Sequence, residues 1–165
     1  MQVSKDIRVQ AHYLFPSNIY ASNEHCVIQT LLGSCVAICL HDPVLKIGGM
    51  NHYMLPLWNG HGLETPKYGN IAIEMILEKM IRLGSKKQNI QAKVFGGANI
   101  HDQKILTIGE RNISIAQSTL ENHKIPVIAS SVGGEMGRNI KFDTCDGKVI
   151  MKYILNNHRK TKQNI

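Results

Sequence analysis

Aromatic side chains are scarce in this 165-residue chain, at 5%, and no apolar run approaches the roughly 20 residues that a membrane-spanning helix requires. Few aromatics and scattered basic residues weigh against a nucleic-acid surface despite a net charge of +7. The densest basic cluster, His158-Arg159-Lys160-Thr161-Lys162, falls in the last ten residues and reads as a solvated basic C-terminal tail, 156–165. Met1-Gln2-Val3-Ser4-Lys5-Asp6 lacks the charged-then-apolar pattern of an export signal. The expectation is a cytoplasmic protein with no membrane insertion and no nucleic-acid partner, whose excess positive charge suits an acidic protein surface.

Cysteine is present but unpaired in sequence. Cys26, Cys35, Cys39 and Cys145 include no C-x-x-C pair, and a reducing compartment keeps them as thiols. His25, Cys26, Cys35, Cys39, His41 and His52 offer the residue types of a zinc site, but Cys35 and Cys39 bracket strand-like residues and the knuckle spacing is missing. No metal and no cofactor are expected.

What the chain does contain is enough apolar material, 43%, for one domain over residues 1–155. Ile7 to Phe15 and His25 to Leu32 read as strands, separated by a turn near Pro16-Ser17-Asn18. Trp58 to Pro66 is a loop. Tyr68 to Leu83 carries Ala72, Met75, Ile76, Met80 and Leu83 at helical steps and stops at Gly84. Ile90 to Phe95 is a strand. Thr107 with Glu110 forms a capping box for a helix through about His123, with Ile113, Ala116, Gln117 and Leu120 along one face. Ile125 to Ser131 is a further strand, then a glycine loop through Arg138, and Cys145-Asp146-Gly147 turns a hairpin between Asn139–Thr144 and Lys148–Leu155. Strands outnumber helices and short turns join several, which gives an α+β domain with mostly antiparallel pairing and helices packed outside.

The stretch from Leu31 to Pro56 carries the chemistry. Cys35 to Leu40 is β-rich and too short for an ordinary helix, Asp42-Pro43 turns the chain, and Ile47 to Leu55 returns antiparallel, bringing His52 back toward Cys35. Gly33-Ser34-Cys35 gives a substrate an unobstructed approach to sulfur, and the backbone N–H groups of Ser34 and Cys35 are candidate oxyanion donors. On spacing alone, an inert buried cysteine and a core or surface histidine are the commoner reading of this pattern.

Five segments add specificity: Gly33-Ser34-Cys35-Val36-Ala37, Gly48 through Pro56, Gly96-Gly97-Ala98, Ile108-Gly109-Glu110-Arg111-Asn112 and Val132-Gly133-Gly134. In this order, from about Val27 to about Tyr153, the chain resembles the CheD family of chemoreceptor glutamine deamidases. The resemblance implies a layered β-sandwich flanked by helices, similar to cysteine-dependent deamidase toxins. It implies hydrolysis of receptor glutamine side chains to glutamate and ammonia, with Cys35 as nucleophile and His52 as base. Methyl-accepting chemotaxis receptors are the implied substrates and a CheC-type phosphatase a further partner. The family's third catalytic residue is a threonine six positions before the cysteine; here that position is Gln29, with Thr30 next to it. Gln29 could accept from the imidazole through its side-chain oxygen, and Thr30 could do so if the register shifts. The alternative implied by a missing threonine is an adaptor with weak or no catalysis, docking on receptors or on the phosphatase.

Overall fold

The computed structural model describes residues 8–100 and 107–155; the N-terminal hexapeptide and the basic tail, 156–165, lie outside them. The described residues form nine strands and two α-helices: β1 Gln10–Tyr13, β2 Asn18–Ser22, β3 Cys26–Leu32, β4 Val36–Asp42, β5 Ile47–His52, α1 Gly69–Arg82, β6 Gln91–Gly96, α2 Ile108–Asn122, β7 Val127–Val132, β8 Gly137–Asp143 and β9 Val149–Ile154.

Two sheets stack. One runs β1-β3-β8-β9 and the other β2-β5-β4-β6-β7. Five of the seven pairings are antiparallel, and β1–β3 and β6–β7 are parallel. Every residue of β4 and β5 is buried, because these inner strands of the five-stranded sheet are covered on both faces. Val36, Ile38 and Leu40 of β4 meet Ile73, Ile76 and Met80 of α1 and Ala116 and Leu120 of α2. The alternate residues Ala37 and Cys39 meet Ile28, Leu32, Ile140 and Phe142 of the other sheet. The result is three layers, helices on sheet on sheet, with both helices on one side. Each large apolar side chain placed this way stabilises the fold by about 1.5–3 kcal/mol.

The helices follow their sequence signals. In α2 the Thr107 side chain accepts from Glu110 N–H and Thr107 N–H donates to the Glu110 carboxylate at 2.8 Å, the reciprocal capping box. The 145–147 hairpin also forms, with Gly147 at φ +73° and its N–H on Asp143 O at 3.0 Å. β2 is the strand the sequence does not announce. Its side chains are only half-buried or exposed, and what makes it a strand is pairing along the free edge of β5, from Asn18↔His52 to Ser22↔Gly48.

Candidate active site

Alternation along two neighbouring strands determines which side chains meet. Ala37 and Cys39 face the other sheet, and Cys35, two residues before Ala37, packs half-buried against the same core. On β5, Met50 faces that core and His52, two residues later, is 1% exposed. The antiparallel register from Cys39↔Met50 to the bridge Val36↔Tyr53 puts Ala37 opposite His52 and Cys35 diagonal to it on one face. The expected antiparallel return of His52 toward the Cys35 end of β4 is therefore present.

The four-stranded sheet supplies the third side chain. Thr30 of β3 is fully buried, and its Oγ1 lies 2.8 Å from His52 Nδ1. The same hydroxyl donates its single proton to the Leu14 carbonyl at 2.7 Å. With that proton committed, Oγ1 can only accept, so the imidazole hydrogen is on Nδ1 and is donated to Thr30. Nε2 keeps its lone pair and has no partner among the described residues. Burial lowers the His52 pKa from 6.5 to about 4, so the ring is neutral near pH 7. Burial also pushes the Cys35 thiol up, partly opposed by its own backbone N–H. The resting pair is thiol and neutral imidazole rather than an ion pair.

Of the two residues that the sequence offers as partner for the imidazole, Gln29 is not the one in contact. It is half-buried on the outer face of the four-stranded sheet, where its Nε2 donates to Asn139 Oδ1 at 3.2 Å. β3 and β8 pair without a break from Val27↔Asp143 to Leu32↔Arg138, so no bulge turns Gln29 inward or brings Thr30 in. Thr30 is inward because it shares the alternation of Cys26, Ile28 and Leu32.

That turn is held by its carbonyls. Gly33 O accepts from Ala98 N–H at 2.9 Å, Cys35 O from Gly97 N–H at 2.8 Å, and Ser34 O from Asn112 Nδ2 at 3.0 Å. The bonds depend on Gly96, at φ +108°, where a Cβ would come within 2.2 Å of the Cys35 carbonyl oxygen. Beside the turn, a cavity of about 180 Å³ is lined by Ser34, Ala98, Asn99, Thr107 and Gly109, at the N-terminal end of α2. Another hollow, of about 120 Å³ and lined by His41 and Lys93, lies at the far end of β4 and includes none of these residues.

Three of the residues considered for zinc are engaged elsewhere, and no three metal-ligating side chains gather among the described residues. His25 Nε2 bonds Asp143 at 2.8 Å, His41 Nε2 donates to Cys145 O at 3.1 Å, and Cys26 lies in the inter-sheet core. Asn112 is the site residue that sequence patterning missed. It is fully buried on the α2 stripe with Gly109, Ala116 and Leu120, and the signal was a polar residue at four-residue spacing from apolar ones.

Comparison with known proteins bears on the family. A family model described as CheD chemotactic sensory transduction matches residues 54–153. A protein of Trichlorobacter lovleyi named probable chemoreceptor glutamine deamidase CheD is 48% identical over 87% of this chain and 90% of its own length. One of the same name from Sulfurimonas denitrificans is 46% identical over 86% of this chain and 93% of its own. Among solved structures, the hypothetical protein YfiH of Bacillus licheniformis aligns at 19% identity and a TM-score of 0.47, covering 68% of this chain and 49% of that one. Likeness at that level along nearly the whole of two relatives places the chain in the CheD family.

Proposed function

We propose that this protein hydrolyses the side-chain amide of selected glutamines in chemoreceptors, with Cys35 as nucleophile, His52 as base and Thr30 as the residue that orients it. The observation that carries the reading is the Thr30–His52 contact, which fixes the imidazole hydrogen on Nδ1 and leaves Nε2 free on the face it shares with Cys35. As sulfur attacks the amide carbon, Nε2 takes the thiol proton, and the carbonyl oxygen becomes an oxyanion held by the Cys35 and Ser34 N–H groups. Collapse of the adduct passes the Nε2 proton to the leaving nitrogen, releasing ammonia and a thioester. Water, deprotonated by Nε2, then attacks the thioester; glutamate forms and the Cys35 thiol is restored.

A buried neutral base suits this sequence of steps, because it can accept a proton in the attack and return it without first losing one to solvent. The adaptor-only alternative rests on a missing threonine, and Thr30 supplies one at hydrogen-bond distance. Receptor glutamines on cytoplasmic helices put the reaction in the cytoplasm, and a CheC-type phosphatase belongs to the same reading as a docking partner.

The test is the intact mass of a receptor fragment together with ammonia release. Each deamidation adds about one mass unit by exchanging NH₂ for OH. Cys35→Ala and His52→Ala are expected to lose both signals while unfolding cooperatively. A Cys35→Ala protein with wild-type turnover would remove the nucleophile from the scheme.

A further inference from the structure

The strands that carry Cys35 and His52 separate just where the chemistry is placed. Their last paired rung is Val36 with Tyr53, whose backbones exchange bonds of 3.0 and 3.1 Å. In an unbroken antiparallel ladder the next rung would join Ser34 O to Leu55 N–H. Leu55 N–H instead donates to Lys67 O at 3.1 Å, as does Met54 N–H at 2.9 Å. The two carbonyls left at the fork, Ser34 O and Met54 O, both accept from one side-chain nitrogen, Asn112 Nδ2, at 3.0 Å each. One of those carbonyls immediately precedes Cys35 and the other lies two residues beyond His52.

Asn112 is anchored in turn. It lies inside α2, its own carbonyl accepts from the Tyr53 hydroxyl at 2.6 Å, and its side chain is fully buried. Its Oδ1 is buried without a partner among the described residues, so an acceptor is desolvated there at a cost to stability. An apolar residue on the α2 stripe would avoid that cost and still fill the space. What an apolar residue would not do is bridge the fork.

We propose that Asn112 is a positioning residue for the deamidation: its amide replaces the missing rung and fixes the span between the nucleophile turn and the base strand while leaving the face around Cys35 open to substrate. The proposal rests on the Cys35–His52 reading above. Loss of the two N–H donors lets the fork widen, which misplaces sulfur relative to Nε2 without altering how a receptor docks.

The experiment uses the full chain and the variants Asn112→Ala and Asn112→Ser, neither of which can reach both carbonyls, with Leu120→Ala as the control that loosens the packing of α2 on the sheet but keeps the amide. Two readouts are taken. Steady-state kinetics on a receptor fragment should show kcat down roughly 10- to 100-fold with KM within about two-fold. Iodoacetamide labelling of Cys35 near neutral pH, which needs no receptor, should slow toward the rate of His52→Ala, and Asn112→Ala should slow it no further when His52 is already alanine. Leu120→Ala should lower the melting temperature and leave kcat near wild type. The proposal is overturned if kcat and labelling are unchanged in the folded Asn112 variants, if the labelling loss is just as large without His52, if Leu120→Ala reproduces the kcat loss, or if neither Asn112 variant folds. Cys35→Ala separates the two levels: its activity would sink the Cys–His reading itself, whereas an inactive Cys35→Ala beside normal Asn112 variants rejects the positioning role alone.

Discussion

A single proton on Thr30 determines the state of the imidazole. Because Oγ1 donates to Leu14 O, it must accept from Nδ1, and the free lone pair is on Nε2. Thr30→Val removes that acceptor while keeping shape, and turnover should fall by roughly 10²-fold through loss of the correct tautomer and ring orientation; Gln29→Ala, on the outer face, should change it little. Steady-state ammonia release by the two variants checks both statements, and equal losses would refute the assignment. His52 also leaves a signature in stability. Its pKa is lowered from 6.5 to about 4, so between those values the unfolded chain binds a proton that the folded one excludes. Stability is therefore complete above pH 6.5 and declines as pH falls toward 4, by about 3 kcal/mol for this group. Denaturant titrations at pH 7 and pH 4 should show that His52→Gln loses less over this range than wild type.

At the scale of elements, α2 ties the site together from behind. Its first turn lies against the glycine segment that binds the turn at Cys35, so closely that a Cβ on Gly109 would fall 2.5 Å from Gly97 O. Gly97 and Ala98 are the donors to Cys35 O and Gly33 O. Gly109→Ala should therefore push helix and segment apart, lowering both melting temperature and kcat. Thr107→Ala removes the cap bond to Glu110 N–H without entering that contact; it should cost about 1 kcal/mol of stability with a smaller effect on kcat. Thermal unfolding and single-turnover assays on the two variants separate the close approach from the cap.

For the whole molecule, the consequence of three layers is that one sheet serves two cores. Ile38 and Ala37 are neighbours on β4, yet one belongs to the helix side and the other to the inter-sheet side. Neither core can come apart without exposing a face of β4 and β5. Ile76→Ala on the helix side and Phe142→Ala between the sheets should each cost about 2–5 kcal/mol and lower one common transition. Far- and near-ultraviolet circular dichroism measured on the same samples should coincide; two separated transitions would show that the layers unfold independently.

The sequence by itself determined the parts that are local. The capping box at Thr107 and Glu110, the Asp146-Gly147 hairpin and the antiparallel return from β4 to β5 are each written within a few residues, because caps and turns depend on side chains bonding nearby backbone. It did not determine which side of β3 faces inward. Cys26, Ile28 and Leu32 are apolar, but so are Val27 and Leu31 on the opposite face, so alternation alone leaves Gln29 and Thr30 equivalent. Only the stacking of the second sheet against β5 decided that Thr30 meets His52 and that Gln29 pairs with Asn139 outside. The same holds for β2, which needs the edge of β5, and for Asn112, 78 residues from the Ser34 carbonyl it binds. A contact across that separation is set by packing layers together, and no window of sequence contains it.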